Sequence, residues 1–330
     1  MISYSIIILV LSMQENFKFL DDLIHGGDKL IILMSDIVLD EDEESDYAEG
    51  INLDVDDLII DANGHTVDAR GKARIFYCTA NVTIRNAVLK NALGAIYNFQ
   101  GVLNILESKL SENAAGVVGG AVYNNWGELN IEDSILSDNA SGCHGGAIFN
   151  VNGVVNISES KLSNNSAKND GGAIFNGGKL NIDDSILSQN KANGSGGAIY
   201  DNRGEINIKD STLSQNASDG IFGGGAIHKN RGTLNITGSA LAQNIAGMDG
   251  GAIFNIDGDL TISNSVLSGN VSDANGGAIY DWGSLDIADC ELSENTAKNG
   301  GGAVYTKNKK DLSLENCVFR DNQPDDVDGV

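Results

Sequence analysis

Residues 129–139 read Leu-Asn-Ile-Glu-Asp-Ser-Ile-Leu-Ser-Asp-Asn, and residues 140–150 continue with Ala-Ser-Gly-Cys-His-Gly-Gly-Ala-Ile-Phe-Asn. The second stretch contains a motif, Gly-Gly-Ala followed by Ile or Val, that recurs along the chain at intervals of 25 to 28 residues. Only its first copy, at Ala95, lacks the double glycine, and the alanines are Ala95, Ala121, Ala147, Ala173, Ala198, Ala226, Ala252, Ala278 and Ala303. A fixed interval of this length predicts a solenoid, in which each repeat buries its apolar side only against its neighbours.

The first stretch recurs with the same interval. Each repeat has an apolar-x-apolar pair, then a small residue, a large apolar residue and an Asn, as in Leu129, Ile131, Ser134, Leu136 and Asn139. The asparagines form a column of nine positions: Asn113, Asn139, Asn165, Asn190, Asn216, Asn244, Asn270, Asn295 and Asn322.

Two kinds of solenoid fit this period. The block at 129–136 resembles a leucine-rich repeat, but that fold uses the rest of each repeat for a helix or 3₁₀ turn. Here the rest contains paired glycines, each of which costs about 1 kcal/mol in a helix, and Ile-Phe pairs that favour strands. Three alternating runs, Gly-Ala-Ile-Phe, Leu-Asn-Ile and Ser-x-Leu, instead predict three strands per coil of about 26 residues. The predicted fold is all-β, a parallel β-helix that the crossover rule makes right-handed.

Equivalent residues of successive coils should stack about 4.8 Å apart in this fold. We expect Leu and Ile columns to fill the axis, and each Asn to occupy a left-handed corner with its amide stacked on the next. Because every coil has this Asn, its expected role is structural. Alternation leaves open whether the column after Gly-Gly-Ala points inward or outward, and its members are Tyr97, Tyr123, Phe149, Phe175, Tyr200, His228, Phe254, Tyr280 and Tyr305.

The sequence divides into an apolar segment with a helix at 1–28, irregular first coils at 29–92, and regular repeats of one continuous solenoid at 93–330. The apolar stretch 6–11 is far shorter than the roughly 20 residues that span a bilayer, so no transmembrane segment is expected. It lacks the preceding Lys or Arg and the following Ala-x-Ala site of a secretory signal. We interpret it as packed on the first coil, with a signal peptide as the alternative.

A short amphipathic helix should follow. Residues 12–15, Ser-Met-Gln-Glu, form a candidate capping box, and helical spacing relates Phe17, Leu20, Leu23 and Ile24. We expect this helix to cover the N-terminal end of the β-helix, because an open sheet edge would template aggregation.

The chain is strongly acidic, with 46 Asp and Glu against 21 Lys and Arg and a formal net charge of −25. That balance argues against a nucleic-acid partner, which requires a basic face to displace counterions. The acidic run 40–46 is expected to be a solvated loop. The sequence at 325–330 shows no pattern typical of a cap for the C-terminal end of the solenoid, as expected of a chain cut from a longer one.

Four cysteines have no metal-type spacing and are too few for a disulfide scaffold. Cys290 and Cys317 occupy the small-residue column in adjacent coils, where neighbouring Cβ atoms lie parallel and about 4.8 Å apart. A disulfide prefers about 3.8 Å between Cβ atoms, so we predict two stacked free thiols.

Gly-Gly-Ala-Ile combined with Phe-x-x-Asn resembles the motif pair of chlamydial polymorphic outer membrane proteins. Gly145–Ile148 and Phe319–Asn322 match both motifs, while other coils carry Leu-x-x-Asn. The leader at 60–68, followed by 82–86, is similar to the start of adhesin-like surface proteins of methanogenic archaea, which have the pectin-lyase-like right-handed β-helix. The resemblance covers about residues 15–322 and implies an extracellular, surface-displayed adhesion module. The chain lacks the C-terminal membrane β-barrel pattern of the chlamydial proteins.

We therefore interpret the chain as a non-enzymatic adhesin-like module at the cell surface or outside the cell. Its expected partners are surface glycans or proteins of a host or neighbouring cell. A polysaccharide lyase or glycoside hydrolase on the same scaffold is the alternative, since fold does not decide function. Such an enzyme needs clustered carboxylates and a basic residue on one face, and the best candidate group is Asp61, His65, Asp68, Arg70 and Arg74. We interpret that group as ordinary turn and surface residues, and His25, His144 and His228 as isolated.

An acidic column precedes the small-residue column in five consecutive coils: Glu107, Asp133, Glu159, Asp184 and Asp210. Like charges about 4.8 Å apart repel, so a divalent cation would relieve the repulsion. The competing interpretation is that Asp favours this turn position. No cofactor is expected apart from weakly bound Ca²⁺ at this column.

Two further features are weaker indications of surface function. Trp126 and Trp282 lie beside strand corners and could stack on sugars. Eight Asn-x-Ser/Thr sequons suit a glycosylated protein, although repeats built from Asn and Ser generate them automatically: Asn81, Asn139, Asn156, Asn164, Asn193, Asn216, Asn235 and Asn270.

Overall fold

A computed structural model describes residues 15–329 and shows three parallel β-sheets of 19, 12 and 8 strands that wind around one axis. The large sheet contains Leu30–Ile32, Ile51–Leu53, Leu58–Asp61, Phe76–Cys78, Asn81–Arg85, Ile96–Phe99, Val102–Leu106, Val122–Asn125, Glu128–Glu132, Ile148–Ser158, Ile174–Asp183, Ile199–Asn202, Glu205–Lys209, Ile227–Thr237, Ile253–Ser263, Ile279–Ala288, Val304–Thr306, Leu312–Glu315 and Val327–Gly329. The twelve-stranded sheet contains Ile37–Val38, Thr66–Asp68, Val88–Lys90, Lys109–Ser111, Ile135–Ser137, Lys161–Ser163, Ile186–Ser188, Thr212–Ser214, Ala240–Ala242, Val266–Ser268, Glu291–Ser293 and Val318–Arg320. The eight-stranded sheet contains Ala114–Ala115, Ala140–Ser141, Ser166–Ala167, Lys191–Ala192, Ala217–Ser218, Ile245–Ala246, Val271–Ser272 and Thr296–Ala297. The predicted all-β parallel β-helix is confirmed.

The three sheets do not correspond one to one to the three predicted runs. Gly-Ala-Ile-Phe and Leu-Asn-Ile strands belong to one large sheet, whose two parts we call the first arm and the second arm. Single strands such as Ile148–Ser158 run through both arms, and Asn152 bends this one with a left-handed φ of 55°. The third sheet is formed instead by two-residue strands after the first eight column asparagines, which are too short to show a period in the sequence.

The core is one continuous apolar column. The Ala and Ile or Val of the Gly-Gly-Ala motif are buried in it, as are the apolar pairs of the second arm up to the last coil, where Leu312 is partly buried and Leu314 is exposed. The aromatic column lies outside that core, on the opposite side of the first arm from residues such as Ile148. Strand alternation therefore places the rings on the outer face, which settles the orientation that the sequence left open.

The column asparagines form what we call the corner asparagine ladder. The amide of Asn139 donates to Oδ1 of Asn165 and to the carbonyl of Leu110, both at 3.0 Å. Its Oδ1 accepts the backbone N–H of Asn113 at 3.2 Å and its amide at 3.0 Å. Stacked amides are confirmed, but the predicted left-handed conformation was wrong, because the exposed residue before each Asn adopts it, as Asp138 does at φ 58°. The Asn itself points into the coil, where the backbone groups of the corner need partners.

A second internal column, the inner asparagine ladder, follows the aromatic residue and was missed. The Asn124 amide donates to the carbonyl of Gly127 at 3.0 Å, across the bend between the arms, and to Oδ1 of Asn150 at 2.9 Å. The polar residue after each aromatic was the available signal. All members are fully buried: Asn98, Asn124, Asn150, Asn176, Asp201, Lys229, Asn255, Asp281 and Thr306.

Helix α1, Phe17–Ile24, packs Phe17, Leu20 and Ile24 into the core at the N-terminal end of the solenoid, as predicted. Asn16 caps it by accepting the N–H of Phe19 at 3.0 Å. The candidate capping box lies largely outside the described residues, since the structure describes only its last member. Among residues 15–329, no helix has the length and apolar character needed to cross a membrane.

The acidic run is not simply a solvated loop. Glu43 is buried, and its carboxylate accepts the N–H groups of Phe17 at 3.2 Å and Lys18 at 3.0 Å. The first N–H groups of a helix have no partner within it and attract negative charge, so Glu43 completes the cap from a distant loop. At the other end, where the sequence predicted no cap, Val327–Gly329 adds a strand beside Val304–Thr306.

A buried ion pair interrupts the inner asparagine ladder. Asp201 and Lys229 are fully buried, and the Lys229 ammonium donates to Asp201 and to the carbonyl of Gly204. Asp201 also accepts from the Asn176 amide and, at 3.0 Å, from the N–H of Gly204. Burial raises the pKa of Asp201 and lowers that of Lys229, because it disfavours both charges. Removing one member would leave the other as an unpaired buried charge, which would strongly destabilise the fold.

Replacing Lys229 alone with Asn should lower the free energy of unfolding by about 3 kcal/mol, because a carboxylate stays buried without its cation. The double variant Asp201→Asn/Lys229→Asn should recover most of that loss, since it rebuilds the amide column seen at Asn150 and Asn176. Urea unfolding of the three proteins measures the difference. Equal losses in the single and double variants would show that Lys229 stabilises the coil by packing and not by charge.

Candidate ligand-binding surfaces

The five residues that formed the best candidate catalytic group do not converge on one point, although Asp68 accepts the backbone N–H of Arg70 at 2.8 Å. Arg70 is an exposed turn residue with φ 50°. The other four bind different partners at 2.7 to 3.3 Å, namely Asp61 with Arg85, His65 with Asp36, Asp68 with Asn91, and Arg74 with Glu49. Within residues 15–329, no three His, Cys, Asp or Glu side chains converge in a way that would hold a metal ion.

The five residues of the acidic column occupy equivalent exposed turns. Each has a left-handed backbone, with φ between 44° and 48°. The next four coils place Gly238, Asn264, Asp289 and Asn316 at the same position, also with positive φ. Asp, Asn and Gly tolerate this conformation best, so backbone geometry accounts for most of the column.

The description of the histidines as isolated was wrong. His25 lies 2.9 Å from Asp21, and His144 lies 3.3 Å from Asp170. Sequence reasoning missed the second pair because Asp170 stands one coil further along. Burial raises the pKa of Asp170, but the neighbouring His144 imidazole and the N–H of Ser195, which donates at 2.9 Å, outweigh it, so the net shift is downward.

The aromatic column forms a continuous stack of rings on the first arm. Consecutive centroids from Tyr97 to Tyr305 are 4.6 to 5.4 Å apart. His228 is a member, 4.7 Å from Tyr200 and 5.0 Å from Phe254, and its side chain is almost fully buried. Because most ring faces contact one another, this column offers little free aromatic surface to a ligand.

The outer face of the second arm carries a third amide column, the outer asparagine ladder. Each amide after the first donates to Oδ1 of the preceding coil at 2.7 to 3.0 Å, and the members are Asn104, Asn130, Asn156, Asn181, Asn207 and Asn235. Thr83 and Thr261 continue the row at its two ends. Asn is depleted in strands, so the row needs a reason other than strand propensity. Our sequence reasoning used only the apolar neighbours and missed it.

Each outer amide retains at least one oxygen lone pair for an external partner after its ladder bonds are made. Asn156, Asn181 and Asn235 also retain one N–H, whereas Asn130 and Asn207 donate their second N–H to Glu128 at 3.2 Å and Glu205 at 2.9 Å. The unused groups recur about every 4.8 Å along the axis. The second-arm face can therefore form a regular series of hydrogen bonds with an elongated polar ligand.

The two tryptophans are the largest exposed aromatic side chains, with 61% of Trp126 and 55% of Trp282 accessible. Within the described residues, neither takes part in the ring stack. Trp126 is the left-handed residue of its turn, with φ 59°, whereas Trp282 lies within the strand Ile279–Ala288.

Three of the eight sequons cannot accept a glycan in the folded chain. Asn139, Asn216 and Asn270 are fully buried members of the corner asparagine ladder. The sequon asparagines at 81, 164, 193 and 235 are exposed. The number of sequons therefore overstates the surface available for glycosylation.

A family model described as the Chlamydia polymorphic membrane protein (Chlamydia_PMP) repeat matches residues 160–177, 184–202, 264–281 and 289–307. Four segments of the chain are thus similar to this repeat. These segments cover less than a quarter of the chain. Each match begins at the small-residue column or at the turn before it, continues through the corner Asn and ends at the first arm. Comparisons with curated proteins and with solved structures found no match.

Acid should destabilise the chain through His228, because burial lowers the pKa of its imidazole from 6.5 to about 4. The unfolded chain then binds a proton below pH 6.5 that the folded chain does not, so this stability is lost as pH falls from 6.5 toward 4. At pH 4.5 the loss attributable to His228 is about 2.5 kcal/mol. The charge of Asp170 partly opposes this shift, because a nearby carboxylate favours the protonated imidazole.

The variant His228→Phe should lose about that much less stability between pH 7 and pH 4.5 than the wild type. Phe149, Phe175 and Phe254 occupy the same column, so the ring stack should survive the substitution. Urea unfolding at both pH values provides the comparison, and identical losses in the two proteins would exclude a role for this imidazole.

Calcium should raise the melting temperature modestly at millimolar concentration if the acidic column binds it, with Kd no better than about 10⁻⁴ M. Replacing Glu159 with Gln and Asp184 with Asn should flatten that rise. Asn occupies this position at Asn264 and Asn316, so the turns should be retained. A melting curve that ignores Ca²⁺ at matched ionic strength would leave the column with a turn-forming role only.

Proposed function

We propose that this chain is a non-enzymatic, adhesin-like binding module displayed at the cell surface or outside the cell. The observation that carries the proposal is the presence of polymorphic membrane protein repeats on a parallel β-helix. That family model takes its description from a membrane protein, which supports display at a cell surface. The similarity of the leader at 60–68 to archaeal adhesin-like proteins supports the same assignment.

The second-arm face is the surface best suited to contact a partner. It is flat, its amides are held in register by the ladder hydrogen bonds, and its side chains lose little further freedom on binding. We expect the partner to be a glycan or protein on a host or neighbouring cell. A surface of repeated, weak polar contacts gives useful affinity when many of them act together.

Beads coated with the full chain should bind to a glycan array or to cultured epithelial cells. The triple variant Asn130→Thr/Asn156→Thr/Asn181→Thr should reduce bead binding at least tenfold, because it removes three adjacent amides from the second-arm face. Thr83 and Thr261 already occupy this row, so the fold should tolerate the change.

The matched control is Ile135→Thr/Ile186→Thr on the outer face of the twelve-stranded sheet, where Thr212 occupies the same row. It should bind like the wild type. Equal loss in both variants, or no binding by the wild-type beads, would contradict the proposal. Cleavage of a uronate polymer that is abolished by Asp61→Asn would replace it with the lyase alternative.

A further inference from the structure

The bend between the two arms at Trp282, like the bend from Asn176 to Leu180, is shorter than its neighbours on both sides. From the inner ladder residue to the first apolar residue of the second arm, Asn255 to Leu260 spans five positions, Asp281 to Leu285 four, and Thr306 to Leu312 six. The strand register shifts at this place, between Ile256 and Asp259. The longest bend contains the 3₁₀ turn Lys309–Asp311. Residues of these three neighbouring bends line a hollow on the outside of the solenoid.

Glycine backbone forms the floor of this hollow. A Cβ atom on Gly283 would lie 2.1 Å from the carbonyl oxygen of Gly258, so no other residue fits at Gly283. Trp282, Asp257 and Asp259 line one side, and Lys307, Asn308 and Asp311 line the other. The floor is therefore shallow and free of side chains, while aromatic and polar groups surround it.

Trp282 supplies an aromatic surface that the fold does not use. The same outward position in other coils holds Asn125, Val151, Asn202 or Ile256, so folding does not require an indole there. Burying a Trp side chain contributes more binding energy than burying almost any other residue. More than half of this one remains exposed beside the hollow.

Both hydrogen-bond donors and acceptors converge on the hollow. Asp259 is oriented by the hydroxyl of Ser284, which donates to it at 2.8 Å, and Asp257 lies 3.6 Å from Arg231. The donors are the ammonium of Lys307 and the amide of Asn308, whose side chain also donates to Asp311. This combination suits hydroxyl groups, which donate and accept at once.

We propose that the hollow at Trp282 is a subsite for a neutral hexopyranose unit of a glycan. The indole would stack on the apolar C–H face of the sugar ring, and the surrounding side chains would bind its hydroxyls. Asp257, Asp259 and Asp311 outnumber the Lys307 ammonium and the Arg231 guanidinium beside Asp257, and this excess of negative charge disfavours uronates and sulfated sugars. A cationic ligand would use only the hydrogen-bond acceptors of the hollow, and the ammonium of Lys307 would repel it. The inference rests on the proposed binding function and names one ligand class for it.

The two tryptophans make the subsite directly measurable, because substituting either leaves a single fluorescent reporter. In Trp126→Phe the emission comes from Trp282 alone, and in Trp282→Phe it comes from Trp126 alone. We would titrate the full chain with cellohexaose, chitohexaose, mannohexaose and maltohexaose, with polygalacturonate and spermidine as anionic and cationic comparisons. At least one neutral hexasaccharide should shift the Trp126→Phe emission in a saturable way, with Kd in roughly the millimolar range expected of a shallow site.

The same sugar should leave the emission of Trp282→Phe unchanged, and Asp259→Asn in the Trp126→Phe background should weaken binding at least threefold. Circular dichroism and melting temperature verify that each variant is folded. Saturation by none of the four sugars, equal responses from both reporters, or tighter binding of spermidine or polygalacturonate would overturn the inference. Bead binding that survives Trp282→Phe would leave the proposed adhesive function standing without this subsite. Sugar binding without bead adhesion would leave the subsite standing and would contradict the adhesive function.

Discussion

The structure depends on one constraint, which is that the backbone groups at every corner must find hydrogen-bond partners inside the coil stack. Three internal columns meet it, and each passes its hydrogen bonds to the next coil. The N–H of Ser134, for example, donates to the hydroxyl of Ser160 at 3.0 Å, while the Ser134 hydroxyl donates to the carbonyl of Glu132 at 2.7 Å. Because these columns fix only one residue per corner, the segments between corners can vary, which is why the repeat length ranges from 25 to 28 residues.

The columns accept other side chains when the hydrogen-bonding role is preserved. Cys290 replaces a serine, accepts the N–H of Ser265 at 3.4 Å and donates to the carbonyl of Ala288 at 3.1 Å. Burial raises the pKa of its thiol, so the donor proton is retained. Both Cys290 and Cys317 are free in the structure, as the coil spacing predicted. Replacing two amides of the inner asparagine ladder with Asp201 and Lys229 costs more free energy. Each buried charge needs the other as its partner, whereas buried amides need only hydrogen bonds.

The sequence predicted what periodicity encodes and missed what depends on the partner coil. Apolar spacing was sufficient for the solenoid, the Ala147 and Ile148 core positions and helix α1. It could not show that Asp138 and not Asn139 takes the left-handed conformation, since both residue types tolerate it. The pairing of Glu43 with the N-terminus of α1 depends on a loop folding back across about 25 residues, which no local pattern specifies. The hollow at Trp282 arises from the lengths of three neighbouring bends and becomes visible only when the coils are aligned.

Repetition also separates the residues that form the fold from those free to serve a ligand. The internal columns recur because the coil cannot close without them, whereas the outer asparagine ladder is equally regular but faces solvent. The row of that ladder continues from Asn235 through Thr261 to Asp286 on the second arm. The hollow opens at the start of the same arm, where Ser284 contacts Asp259. A chain-like glycan lying along the ladder would therefore reach Trp282 about two coil spacings beyond Asn235, so the regular face and the short bend at Trp282 can act on one ligand.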